Sequence, residues 1–246
     1  MIVVKVGGSL FDSPALGPAL RAYLNALAPR PVLLVAGGGA VADAVRAFDR
    51  THALGEAPAH WLALASLDVT RRLLEAFCGA DWLFAEVSGS ARPTPPAPLP
   101  EGRGEKELRV SCALPSPEGS SSSSAARRLS PLPQGRGAGG GGRTTDAAHQ
   151  PLSVLNCLAF AREDEARPGA LPHTWAVTTD SIAARAAEVF GATRLVLLKS
   201  VDVPPGISHE EAALSGFVDA HFPLVAARLN CPIEFRNFRH ELAAHA

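Results

Sequence analysis

The chain has 246 residues, 47% of them apolar and 19% charged, which is enough core for one large α/β domain or two small ones and too apolar for global disorder. With 23 Lys and Arg against 24 Asp and Glu, and only 6% aromatics, it has neither the basic footprint of a nucleic-acid or anionic-membrane binder nor a base-stacking platform. No apolar run approaches the roughly 18–20 residues that span a bilayer, MIVVKVGGSL does not read as a signal peptide, and four scattered cysteines (Cys78, Cys112, Cys157, Cys231) without metal spacing predict reduced thiols in a cytoplasmic protein with no structural metal.

Ile2 to Val6 is a β-branched run that predicts a buried strand. Leu16, Leu20, Tyr23, Leu24 and Leu27 recur at helical spacing, and Pro29 and Pro31 end that helix. PVLLVA, residues 31–36, predicts a second buried strand, which runs through Gly37-Gly38-Gly39 into the helix AVADAVRAFDR. Ala59 to Phe77 predicts a longer helix with Leu62, Leu73, Leu74 and Phe77 on its apolar side, and Trp82 to Val87 a third strand.

The pattern then breaks. Residues 91–150 hold 9 Pro, 9 Gly and 8 Ser, including five consecutive serines from Ser120, and almost no apolar periodicity. Such a tract buries too little surface to offset an ordering cost of about 1–2 kcal/mol per residue, so it reads as a disordered, low-complexity insertion. It divides one domain into an N-terminal part, 1–90, and a C-terminal part, 151–246. Loop closure grows only slowly with length, so the domain tolerates it. Gly135, Gly137 and Gly140 fit GxGxxG literally, but no strand precedes them and no helix follows, so no dinucleotide site is expected there.

Beyond the insertion, Val154 to Phe160 and Trp175 to Thr178 predict strands, and Thr179-Asp180-Ser181 opens the helix IAARAAEVF, which Gly191 stops. RLVLLK, residues 194–199, predicts the next strand; Ser208 caps a helix with an acidic first turn; Val218 to Leu229 reads as helical and Pro232 to Phe235 as a last strand. Strands alternating with helices predict a mostly parallel sheet covered on both faces, with ligands beyond the strands' carboxyl ends.

Three turns fall at those ends. In Lys5-Val6-Gly7-Gly8-Ser9, glycines let backbone N–H groups approach an anion beside a lysine's point charge. Gly37-Gly38-Gly39 precedes a helix whose N-terminus adds N–H groups and a positive dipole. Two anion cradles on one sheet suit a phosphoryl donor and an acceptor; each glycine group also serves a plain tight βα turn. In the third turn Asp180 either caps its helix or anchors nearby lysines. The chain has just three lysines, Lys5, Lys106 and Lys199, and outside the insertion only the two at strand ends remain. The absence of GxxxxGK[ST] excludes a P-loop.

KVGGSL at 5–10, LLVAGGG at 33–39, TTDSIAARAA at 178–187 and LVLLKSVDV at 195–203, in this order, resemble the amino acid kinase family of acetylglutamate, carbamate, uridylate and isopentenyl phosphate kinases. HWLALASLD at 60–68 and LPHTWAVTTDSIAARAA at 171–187 look most like its [5-(aminomethyl)furan-3-yl]methyl phosphate kinase branch. The resemblance implies a three-layer αβα sandwich around a mainly parallel sheet of about eight strands. It implies an ATP-dependent kinase with Mg²⁺, acting on an anionic small molecule: a phosphomonoester of methanofuran- or tetrahydromethanopterin-type cofactor biosynthesis, with a carboxylate, carbamate or nucleoside monophosphate as alternatives. Lys5 and Lys199 would stabilise the transferring phosphoryl group, Asp180 would organise them, and the amides of Gly7, Gly8, Gly38 and Gly39 would donate hydrogen bonds. Ser9, Thr179, Ser181 and Asp202 join Gly7 and Gly8 as candidate nucleotide contacts. Gly37, Gly38, Gly39, His60 and Asp68 are the candidate acceptor contacts; His60 and Asp68, two turns apart, are alternatively a plain helix-surface pair. A homo-oligomer is expected by analogy with such folds, and a non-catalytic nucleotide-binding regulator is the alternative from another class. SVDVPPGIS departs from the family's usual DVDGV-like turn, and Pro204 and Pro205 stiffen it.

Overall fold

The computed structural model describes residues 1–78, 83–84 and 151–245; the predicted insertion, 91–150, lies outside the described residues. Six strands form one sheet: β1 (Ile2–Val6), β2 (Val32–Ala36), β3 (Leu83–Phe84), β4 (Pro151–Val154), β5 (Arg194–Lys199) and β6 (Ile233–Asn237). Their order is β3-β4-β2-β1-β5-β6, and every neighbouring pair is parallel. Strands from both sides of the insertion thus share one sheet. The remaining elements are a 3-10 turn (Gly8–Asp12) and helices α1 (Leu16–Ala26), α2 (Gly39–His52), α3 (Glu56–Cys78), α4 (Cys157–Asp164), α5 (Thr179–Val189), α6 (His209–Leu214), α7 (Phe222–Ala226) and α8 (Arg239–Ala243). Among the described residues no helix is long and apolar enough to cross a membrane, and the sheet has six strands rather than about eight.

All five residues of β1 are buried, as in a strand covered on both faces. Their alternation still sorts them into two cores. Val4 and Val6 pack with Leu16, Leu20 and Leu24 of α1 and Leu242 of α8. Val3 packs with Leu195 and Leu197 of β5, Phe222 of α7 and the alanines of α5. Helices therefore cover both faces, an αβα layering. α3 serves both cores, giving Leu64 and Leu67 to one and Leu74 and Cys78 to the other.

α5 is the helix that matters most for the site. Ala183, Ala184, Ala186 and Ala187 are all buried, and such small side chains let the helix axis lie close to the sheet. Its buried Arg185 is held by both oxygens of Asp164 at 2.8 and 2.9 Å. The helix ends in a Schellman motif: Gly191 sits at φ 60°, Ala192 N–H reaches the Ala187 carbonyl and Gly191 N–H reaches that of Glu188.

Four local expectations fail. The strand predicted over Val154–Phe160 stops at Val154, because Asn156 accepts from Ala159 N–H and starts α4. Trp175–Thr178 is a turn, with Trp175 turned to donate its indole N–H to Asp49 at 2.8 Å. Helix over 218–229 shrinks to α7, because Asp219 binds the amides of His221 and Phe222 and Pro223 sits in the first turn. On α3, Leu62 and Leu73 face solvent, and Leu64 and Leu67 take the inward positions.

Candidate active site

The sheet's winding reverses between β1 and β5. β2, β3 and β4 lie on one side of β1, and β5 and β6 on the other. In open parallel sheets such a switch point leaves a crevice beyond the carboxyl ends of the two flanking strands. Lys5 and Lys199 stand at those ends. Alternation puts Lys5 on the face of Val3 and Lys199 on the face of Leu195 and Leu197, the face that α5 covers. Lys5 pairs with Leu197 in the register, so Lys199 emerges two residues further along.

Asp180, in the first turn of α5, meets both lysines. Its Oδ1 lies 2.9 Å from Lys5 Nζ, and Lys199 Nζ donates to Oδ1 and Oδ2 at 2.8 Å each. All three residues are less than a tenth exposed. Burial alone would raise the Asp180 carboxyl, but the charges of Lys5 and Lys199 outweigh it and hold the group below its ordinary value. Burial, reinforced by the charge of Lys5, pushes Lys199 down to about 8 against the pull of Asp180. Two ammonium groups thus share one carboxylate. The trio has one positive charge in excess at a site where water solvates it poorly, which favours an arriving anion.

A cavity of about 260 Å³ opens at the start of α5, and none of Lys5, Asp180 and Lys199 lines it. Its wall includes Gly8 and Ser9, Gly38 and Gly39 at the start of α2, and Thr178 and Thr179 at the start of α5. First-turn amides of a helix lack intrahelical acceptors, so the start of α2 offers backbone donors and a positive dipole end to this space, while at the start of α5 Asp219 already takes the Thr178 and Ser181 amides. The two glycine turns touch: a Cβ on Gly8 would stand 2.4 Å from Gly39 N, and Gly39 itself adopts φ 54°. The other side of the cavity is apolar, with Leu64, Leu67, Val177 and Ile182, and carries Arg46, Trp175 and His60. Arg46 pairs with Asp43 and lies 5.1 Å over the Trp175 ring. His60 is buried, its Nδ1 hydrogen-bonds the Thr174 carbonyl, and burial lowers its pKa, so its imidazole is neutral at pH 7.

The structure brings Lys5, Asp180 and Lys199 together, and gathers Gly8, Ser9, Gly38, Gly39, His60 and Thr179 around the adjoining cavity. The other expected contacts are not brought in. Gly7 and Gly37 spend their N–H groups on the carbonyls of Leu198 and Val6, at 2.9 and 2.8 Å. Ser181 is fully buried, its hydroxyl and amide both given to Asp219. Asp68 pairs with Arg71 and Arg72 on its own helix, and the exposed Asp202 accepts from Asn237. Neither lines the cavity.

Residues the sequence did not reveal are Arg46, Asp43 and Trp175 on the cavity wall and Asp219 behind α5. WAVTTD marked Trp175 as part of a strand, and only the register of α2 against the turn shows it facing Arg46. Ser9 and Ser200 hydroxyls meet at 2.7 Å, and Arg239 donates to the Ser9 carbonyl, tying the first glycine turn to the ends of β5 and β6. Among known proteins, no family model and no curated protein matches the chain.

Proposed function

We propose that the protein is an ATP-dependent small-molecule kinase that moves the γ-phosphoryl group to an anionic acceptor, on an amino acid kinase-like αβα fold. The observation that carries the reading is the convergence of Lys5 and Lys199 on Asp180 at the sheet's switch point, beside glycine turns that line a cavity. Phosphoryl transfer asks little covalent chemistry of a protein; it asks for positioning and for stabilisation of charge spread over the equatorial oxygens. Two ammonium groups fixed by one carboxylate supply that charge without reorganisation. An acceptor that is already an anion needs no general base, and the neutral, hydrogen-bonded His60 is not required to be one.

Donor phosphates fit the excess charge of the trio and the first-turn amides. Among the described residues no group of three ligands could hold a metal ion, and both oxygens of Asp180 are engaged by lysines. On this reading Mg²⁺ arrives on the nucleotide's phosphates, as it commonly does, and adds neutralising charge there. The acceptor is a phosphomonoester, by the motifs at 60–68 and 171–187 one of methanofuran- or tetrahydromethanopterin-type cofactor biosynthesis. Arg46 supports an anionic acceptor, and the apolar wall supports one with an apolar body.

The test pairs ATP and Mg²⁺ with a panel of phosphate esters, carboxylates, carbamate and nucleoside monophosphates, and reads ADP release and the phosphorylated product by mass spectrometry. Diphosphate formation from an ester is the expected result. Product from the acids or nucleotides alone moves the acceptor class, and ATP binding without transfer to any acceptor overturns the kinase reading.

A further inference from the structure

Asp219 lies in the connection between α6 and α7, where nothing in its sequence surroundings marks it, yet its carboxylate accepts six hydrogen bonds. Oδ2 takes Thr178 N–H at 2.9 Å, the Thr178 hydroxyl at 2.8 Å and Ser181 N–H at 3.0 Å. Oδ1 takes the Ser181 hydroxyl, His221 N–H at 3.2 Å and Phe222 N–H at 2.9 Å. Thr178 is the N-cap residue of α5 but makes no side-chain cap bond of its own. The donors that an N-cap side chain would satisfy are served instead by a carboxylate about 40 residues later, which also closes the start of α7. Asp180 sits between Thr178 and Ser181, so the two residues that bracket it are both pinned to one group.

We infer that Asp219 is the positioning residue of this site: it anchors the first turn of α5, and with it the Asp180 carboxylate, and supplies a second negative charge to the two-lysine centre. Anchoring matters because Asp180 must meet two lysines on two different strands at once, and a loosened first turn would let the lysines repel each other apart. The charge matters because Lys5 on β1, Asp180 on α5 and Asp219 are the charged groups that act on Lys199, and of these Asp180 and Asp219 favour its protonated form. Asp219 in turn is faced by His221. Its catalytic consequence rests on the phosphoryl-transfer reading; its geometry does not.

The chain's three lysines make the test direct. With lysine-selective ¹³C labelling, three side-chain Cε signals are followed against pH, Lys106→Arg and Lys199→Arg providing the assignment. In wild type Lys199 titrates near 8; in Asp219→Asn its midpoint falls by at least about half a pH unit. Hydrogen exchange at the Asp180 and Ser181 amides speeds at least about tenfold in the same variant. In the ATP assay kcat drops at least about tenfold with KM for ATP within about twofold, and Asp219→Glu regains part of the loss. Should Asp219→Asn not fold, Thr178→Val with Ser181→Ala removes two side-chain donors and keeps every charge; faster exchange at Asp180 is then expected. A folded Asp219→Asn with an unchanged midpoint or unchanged exchange overturns the inference, as does the double variant without faster exchange. Absence of phosphoryl transfer in wild type removes the kinase reading alone, since the titration and exchange still decide the role of Asp219.

Discussion

The two halves of the candidate site are built in opposite ways. On one side Lys5 and Lys199 each lie within 2.9 Å of the Asp180 carboxylate, all three less than a tenth exposed and each delivered by a strand or a helix whose position the sheet fixes. On the other, the cavity wall joins apolar side chains of α3 and α5 to Arg46, an exposed cation held by Asp43, and to Trp175, which sits on a turn. The first half has charge that regular structure cannot relax; the second has shape and one cation on side chains that can adjust. On the proposed kinase function, reaction and recognition fall to different halves, and substitutions in the two halves should separate kcat from KM.

The largest effect is expected at Asp180. Asp180→Asn leaves two buried ammonium groups without their carboxylate, and removing one partner from such a buried cluster costs about 3–5 kcal/mol. ATP turnover should fall about 10²–10³-fold or more in material shown by circular dichroism to be folded, as should that of Lys5→Ala. A fall of only a few fold in both would break the contrast between the halves, because the trio would then be structural.

Lys199 sharpens the same half through pH. Its value in the folded protein, about 8, lies below the ordinary 10.5, so the ammonium form predominates below pH 8 and is lost above it. If the cation is what the reaction uses, turnover declines through pH 8 and is about tenfold lower at pH 9. Lys199→Arg keeps its charge throughout and should flatten that limb. Stability runs the other way for this group: between pH 8 and 10.5 the unfolded chain binds more protons, so its contribution rises with pH. Opposite slopes of activity and thermal midpoint across that window would be the signature, and parallel slopes would mean simple alkaline unfolding.

The cavity half should answer differently. Trp175 is fixed by its indole N–H on Asp49 and backs the Arg46 guanidinium. Trp175→Ala removes an apolar wall and leaves Arg46 unsupported, so KM for the acceptor should rise about tenfold while kcat stays within about twofold. A matching loss in kcat would show that the wall, too, acts in the transition state.

The unequal legibility of the two halves has the same physical source. Lys5, Asp180 and Lys199 were readable because a lysine ending an apolar strand and an acid opening a helix are local anomalies, and alternation plus strand pairing then carries them to one place. The strand runs 2–6, 32–36 and 194–199 were readable for the same reason, since β-branched stretches bounded by glycine and polar turns have one economical reading. Trp175 and Arg46 were not, because no spacing rule links a turn residue to a helix more than a hundred positions earlier. Apolar letters in LNCLAF and TWAV mimic strands; what overrules them is a single cap at Asn156 and a long-range bond from Trp175 to Asp49. Asp219 was hidden, since its bonds to Thr178 and Ser181 join residues about 40 positions apart that become neighbours only once the fold has formed.

The smallest effect is expected where sequence reasoning placed recognition and the fold does not. Asp68 shares a helix with His60, and eight residues of spacing allowed both to face one ligand. In the structure His60 turns into the cavity, and Asp68 is half-exposed and already gripped by Arg71 and Arg72, whose hydrogen bonds hold its carboxyl below the usual range. An exposed ion pair along a helix contributes little, and solvent screens what remains. Asp68→Asn should therefore leave kcat and the acceptor KM within about twofold, while His60→Ala, which opens the cavity wall, should not. An amine-bearing acceptor whose KM rose tenfold in Asp68→Asn would return that carboxylate to the site and require α3 to turn on binding.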